Sequence, residues 1–150
     1  MSLKKIAMLL ALALTGAAVF AGCGGDDDGG SESEALTKTE LIAQADEICQ
    51  AATDEVEEAT ADFDENTADD ELVQFTEDTY VPLLQDEVSD LQALTPPEEE
   101  ADAYEAMLSS LEDGVDQIES DPELVLGNEN PLADATEKAE AIGFEVCGQG

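Results

Sequence analysis

The chain of 150 residues carries 39 Asp and Glu against four Lys and no Arg, a formal charge of −35, and it has neither His nor Trp. That balance excludes nucleic acid and an anionic lipid surface as electrostatic partners. Without imidazole there is no Ser-His or Cys-His nucleophile pair and no His metal ligand, and without guanidinium there is no bidentate oxyanion clamp.

The N-terminus, MSLKKIAMLLALALTGAAVFAGC, reads in three zones: a positive head at Lys4 and Lys5, an apolar segment from Ile6 to Leu14, and mostly small residues from Thr15 to Gly22. This is the pattern of an export signal over residues 1–22, and the apolar stretch is short for a membrane-spanning helix. Its last residues, Val19-Phe20-Ala21-Gly22-Cys23, resemble the lipobox of bacterial lipoproteins, with Phe20 where Leu is commoner. The resemblance implies that the Cys23 thiol carries a diacylglycerol and that cleavage falls just before it. The alternative is ordinary cleavage near Gly16-Ala17-Ala18 with Cys23 incidental. Two acyl chains give stable anchoring where one gives only marginal anchoring, so the expected location is the outer face of the cell membrane.

Acylation of Cys23 would leave Cys49 and Cys147, an even pair in an exported chain and therefore expected to form a disulfide. Residues 23–36 form an acidic, Gly-rich linker, flexible in composition, with a span of roughly 20 Å. Asp26, Asp27 and Asp28 within it read as a solvated run rather than a cation site.

From Leu36 the punctuation is helical, and residues 37–150 are expected to form one all-α domain. Thr37 and Glu40 make a capping box, and Leu36 with Leu41 has the spacing of a hydrophobic staple. Helix one is expected over about 37 to 62, with Leu41, Ala45, Ile48, Ala52 and Val56 on one face. A second helix, about 68 to 94, carries Val73, Tyr80, Leu84, Val88 and Leu91. Pro82 inside it predicts a kink near Tyr80 rather than a straight helix, because its ring removes the hydrogen bond to the Asp78 carbonyl. Thr95-Pro96-Pro97-Glu98 reads as the start of helix three, about 96 to 120, with Tyr104, Leu108, Leu111, Val115 and Ile118 at intervals of three and four. Asp121-Pro122 and Gly127 bound a short turn, and a last helix, about 131 to 142, opens at Asn130-Pro131 and stops at Gly143.

Three long helices and one short C-terminal helix with short links predict an up-down bundle. At about 1.5 Å per residue, Cys49 lies about 20 Å below the top of helix one, and the last helix descends by nearly as much. GFEVCGQG then delivers Cys147 to the level of Cys49. LIAQADEIC near the start, with GFEVCGQG at the end and a lipobox ahead of both, resembles small secreted lipoproteins of high-GC Gram-positive bacteria, a resemblance that implies compartment and cross-link but no activity.

For function, the expectation is a non-catalytic, membrane-anchored module that binds a protein, a cell-wall component or a small solute. No cofactor is implied, since no Gly-rich phosphate loop joins a strand to a helix. Tyr80 and Tyr104, with Met107, are candidates to line a ligand groove, although aromatics at this spacing are more often core. One alternative is calcium binding: Asp62, Asp64 and Asn66 occupy positions 1, 3 and 5 of an EF-hand-like loop, but Thr67 replaces the turn glycine and Val73 the bidentate glutamate. Another is catalysis by paired carboxylates, for which 39 acids supply pairs at any distance by chance.

Overall fold

The computed structural model describes residues 35–149, all of whose regular structure is helical. The export signal, Cys23 and all but the last two residues of the linker lie outside the described residues.

Helix α1, Lys38–Ala59, begins at the expected capping box. The Glu40 N–H donates to Thr37 Oγ1 at 3.3 Å, and the Thr37 N–H donates to Glu40 Oε2 at 3.0 Å. The Thr37 hydroxyl also donates to Glu40 Oε2 at 2.7 Å, and this bond first, then the one from the Thr37 N–H, holds the Glu40 carboxyl below its usual range. Leu41, Ala45 and Cys49 are buried. Ile48, Ala52 and Val56, expected on the same face, are only half-buried.

The second helical stretch is continuous but irregular: α2, Asp69–Phe75, passes through a π-helical turn, Thr76–Tyr80, into α3, Val81–Gln92. In place of the expected kink near Tyr80, the helix widens by a π-helical turn just ahead of Pro82. Pro82 offers no N–H to the Asp78 carbonyl, and widening the turn before it moves that carbonyl clear of the ring. The Val81 N–H donates to the Thr76 carbonyl, five residues back. Buried positions follow this wider step: Thr76 and Val81 are five apart, and only then does the series continue as Leu84, Val88 and Leu91. Tyr80 is thereby displaced from the buried series to a half-buried position.

Helix α4, Ala101–Ser120, starts five residues later than the sequence suggests, and Thr95 is not its cap. Pro97 disfavours helical geometry at Pro96, and the Pro97 carbonyl accepts the Glu100 N–H at 2.9 Å in a turn that precedes the helix. The Thr95 carbonyl instead accepts the Leu36 N–H at 2.8 Å, and Lys38 Nζ lies 2.7 Å from Glu100 Oε1, tying the start of α1 to the approach of α4. A 3₁₀ turn, Pro122–Leu126, and a link closed by the Leu132 N–H on Asn130 Oδ1 (3.0 Å) lead to α5, Ala133–Ile142. Gly143, at φ 108°, ends it in the left-handed region that glycine adopts without strain.

Helix α1 packs on α3, α3 on α4, and α4 on α5. Leu41, Leu91, Met107 and Ile118 are almost fully buried, each contributing about 1.5 to 3 kcal/mol of hydrophobic stabilisation. Gly114 lets α4 approach the Pro131–Leu132 link: a Cβ there would lie 2.7 Å from both Leu132 Cδ2 and the Pro131 carbonyl oxygen.

After Gly143 the tail runs back across α1. Phe144 is buried, its ring edge-on to Tyr104 at 6.1 Å, and the Cys49 and Cys147 sulfurs are joined at 2.03 Å, closing a sequence separation of 98. One turn before Cys49, the Asp46 carboxylate accepts consecutive backbone N–H groups from Glu145 (3.0 Å), Val146 (2.8 Å) and Cys147 (3.4 Å). A carboxylate cradled by successive amides is a charge-assisted clamp, here holding the tail on α1.

Candidate functional site

A cavity of about 220 Å³ lies among α1, α3, α4 and α5. Cys49 and Val56 face it from α1, Leu84 and Glu87 from α3, Met107 and Leu111 from α4, and Thr136 and Ala139 from α5. Tyr80, at the end of the π-helical turn, also lines it. The half-burial of Val56 and Ala52 follows directly, since both border this space instead of packing against a neighbour.

Two further recesses adjoin the cavity. A groove of about 400 Å³ shares Val56, Tyr80 and Leu132 with it and is lined by Phe75, Ile118, Val125 and Leu126. Val125 and Leu126 are 38% and 39% exposed, the large apolar side chains left most open to water among the described residues. Phe63, Phe75 and Tyr80 form an aromatic row beside it, with ring centroids 5.2 Å and 6.4 Å apart. The other recess, about 410 Å³ between α1 and α3, shares Ala52, Leu83 and Glu87 with the cavity and carries Glu47, Glu55, Asp86 and Asp90.

Glu87 therefore stands where the apolar cavity meets an acidic recess. No described group hydrogen-bonds its carboxyl, and burial pushes it up to about 7 from the usual 4.5. Tyr80 is pushed up as well, first by burial and then by the charge of Glu87.

Of the three residues singled out as groove candidates, the structure brings Tyr80 and Met107 to the cavity. Tyr104 belongs to the core: it is buried, its hydroxyl donates to the Leu91 carbonyl at 2.7 Å, and burial pushes it up to about 12. The Leu91 carbonyl, near the end of α3, accepts this bond beside the one from the Leu94 N–H at 3.1 Å. Cys49 and Cys147 are joined by the disulfide and form part of the cavity wall. Cys23 lies outside the described residues.

Asp64 and Asn66 lie in a turn closed on itself, and Asp62 stands before it at the end of the preceding turn. Asp64 Oδ1 accepts the Asn66 N–H at 2.7 Å, and Thr67 Oγ1 accepts the Asp64 N–H at 2.8 Å. Among the described residues no three of His, Cys, Asp and Glu are grouped to hold a metal ion, and no helix is long and apolar enough to cross a membrane.

The residue that sequence reasoning missed is Glu87. A signal for it exists, because Leu84, Glu87 and Leu91 stand at intervals of three and four and put one acid within an apolar stripe.

Comparison of the chain with protein-family models, with curated proteins and with solved structures finds no match.

Proposed function

We propose that this chain is an extracytoplasmic lipoprotein, held at the cell membrane by acylated Cys23, whose helical domain binds a small, largely apolar solute without transforming it. The observation that carries the binding reading is the cavity of about 220 Å³, walled mainly by apolar side chains, with Tyr80 and Glu87 among the few polar groups that line it. Ligand sites between the helices of a bundle are built this way, and an apolar cavity of about 150 Å³ already admits benzene. The anchoring reading rests on the order of charged head, apolar segment and small residues before Cys23, and on the even cysteine pair left once Cys23 is acylated. An up-down arrangement of the four helical segments fits both, with the linker holding the acidic domain away from the bilayer.

Benzyl alcohol is a suitable neutral probe for the cavity. It should bind the full chain at one site and raise its melting temperature, and Thr136→Leu, which fills the space from α5, should abolish binding without unfolding the protein. Absence of binding to wild type, or binding that Thr136→Leu leaves unchanged, would refute the cavity reading. For the anchor, intact mass should show a diacylglyceryl adduct on a chain that begins at Cys23, and Cys23→Ser should lose it. An unmodified, soluble wild-type protein would sink that part.

A further inference from the structure

Among the described residues, every ionisable side chain that borders the cavity is an acid. Glu57 from α1 and Glu87 from α3 line it, together with the Tyr80 phenol. The recess that shares Glu87 adds Glu47 and Glu55 from α1 and Asp86 and Asp90 from α3. Helices α4 and α5 contribute only uncharged side chains to the cavity wall. Both described lysines are engaged elsewhere, Lys38 by Glu100 and Lys138 by Asp134.

This arrangement discriminates among headgroups. A carboxylate or phosphate would meet no counter-charge and would be repelled along the acidic recess. A neutral ligand would leave the Glu87 carboxyl against an apolar body with little to compensate its lost water. An ammonium group supplies both the charge and the N–H donors that Glu87 lacks, and the acidic recess concentrates cations at that end of the cavity. We propose that the ligand is a small hydrophobic amine, its apolar body in the cavity and its ammonium against the Glu87 carboxylate. This rests on the cavity being a ligand site.

Binding is then linked to protons. The free protein keeps much of its Glu87 protonated up to about 7, and an ammonium favours the ionised carboxyl. Affinity should therefore rise with pH through that region, with proton release on binding below it.

Isothermal titration of the full chain with benzylammonium, benzyl alcohol and benzoate separates the possibilities, because the three share a ring and differ in the headgroup. Benzylammonium should bind at one site at least about tenfold more tightly than benzyl alcohol, and benzoate should bind more weakly than either. Its affinity should fall about tenfold between about pH 8 and about pH 5. Glu87→Gln should remove the preference for the amine, so that benzylammonium binds no more tightly than benzyl alcohol, and a cooperative urea transition at about pH 8 shows that the variant is folded. Ammonium binding that survives Glu87→Gln unchanged would assign it to diffuse surface charge and overturn the inference. Equal binding of amine and alcohol would overturn the ligand class and leave the cavity reading standing, whereas failure of all three probes to bind would overturn both.

Discussion

Replacing Glu87 with Gln tests the electrostatics of the cavity wall through stability alone. In the unfolded chain this carboxyl loses its proton near 4.5, whereas burial holds it protonated in the folded protein up to about 7. Between those values the folded state binds more protons than the unfolded state, so the Glu87 contribution falls as pH rises from 4.5 and levels off above 7. At about 1.36 kcal/mol per pH unit the full displacement is worth about 3 kcal/mol. Because Glu87 keeps part of its surface in water, about 2 kcal/mol is the expected size. Gln has nearly the same shape and no charge at any pH. The variant should thus match wild type near pH 4 and exceed it by about 2 kcal/mol near pH 8, or about 8 °C in melting temperature for a domain of this size. Urea unfolding of both proteins at fixed ionic strength across this range gives the difference directly, and the pH response of the other carboxylates cancels. A difference that stays flat with pH, or a wild type more stable than the variant near pH 8, would refute the reasoning.

Cys147→Ser opens a loop of sequence separation 98, worth up to about 4.7 kcal/mol in the chain-entropy model; it should sharply lower the melting temperature, with amide exchange at Glu145–Cys147 quickening first. Gly114→Ala should cost about 1 to 3 kcal/mol in urea unfolding, because the new Cβ meets the Pro131 carbonyl oxygen at 2.7 Å and backbone cannot move aside cheaply. Screening should raise the melting temperature between about 0.1 M and about 1 M NaCl, as the Debye length falls from about 10 Å to about 3 Å; the weakening of the exposed Lys38–Glu100 pair, worth less than about 1 kcal/mol, opposes it only slightly. A melting temperature indifferent to salt would show that self-repulsion does not limit stability.

Local rules made much of this chain legible in advance. Thr37 with Glu40, Pro82 and Gly143 each act on the backbone within about one turn, and at each the structure follows the residue chemistry. Where two local rules compete the reading slips: Thr95-Pro96 resembles a helix start, but Pro97 acts on Pro96 and the helix waits until Ala101. Pro82 points to a kink, whereas the structure accommodates it by a π-helical turn, and the shift this imposes moves Tyr80 from the expected buried series to the cavity wall. Contacts between distant segments stay hidden for a different reason. Nothing near Asp46 signals that it will hold amides 99 to 101 residues away, and Glu87 looks like one more acid on a helix until α1 and α5 close around it.

The bond between Cys49 and Cys147 also decides what a protease can accomplish. The links at 60–68, 93–100 and 127–132 all fall inside the ring that it closes. A single cut in any of them turns the ring into two strands that remain covalently joined, so no fragment diffuses away. If Cys23 is the tether, residues beyond the cut stay on the membrane through Cys49, and a nicked molecule keeps its cavity walls at the same address until the disulfide is reduced.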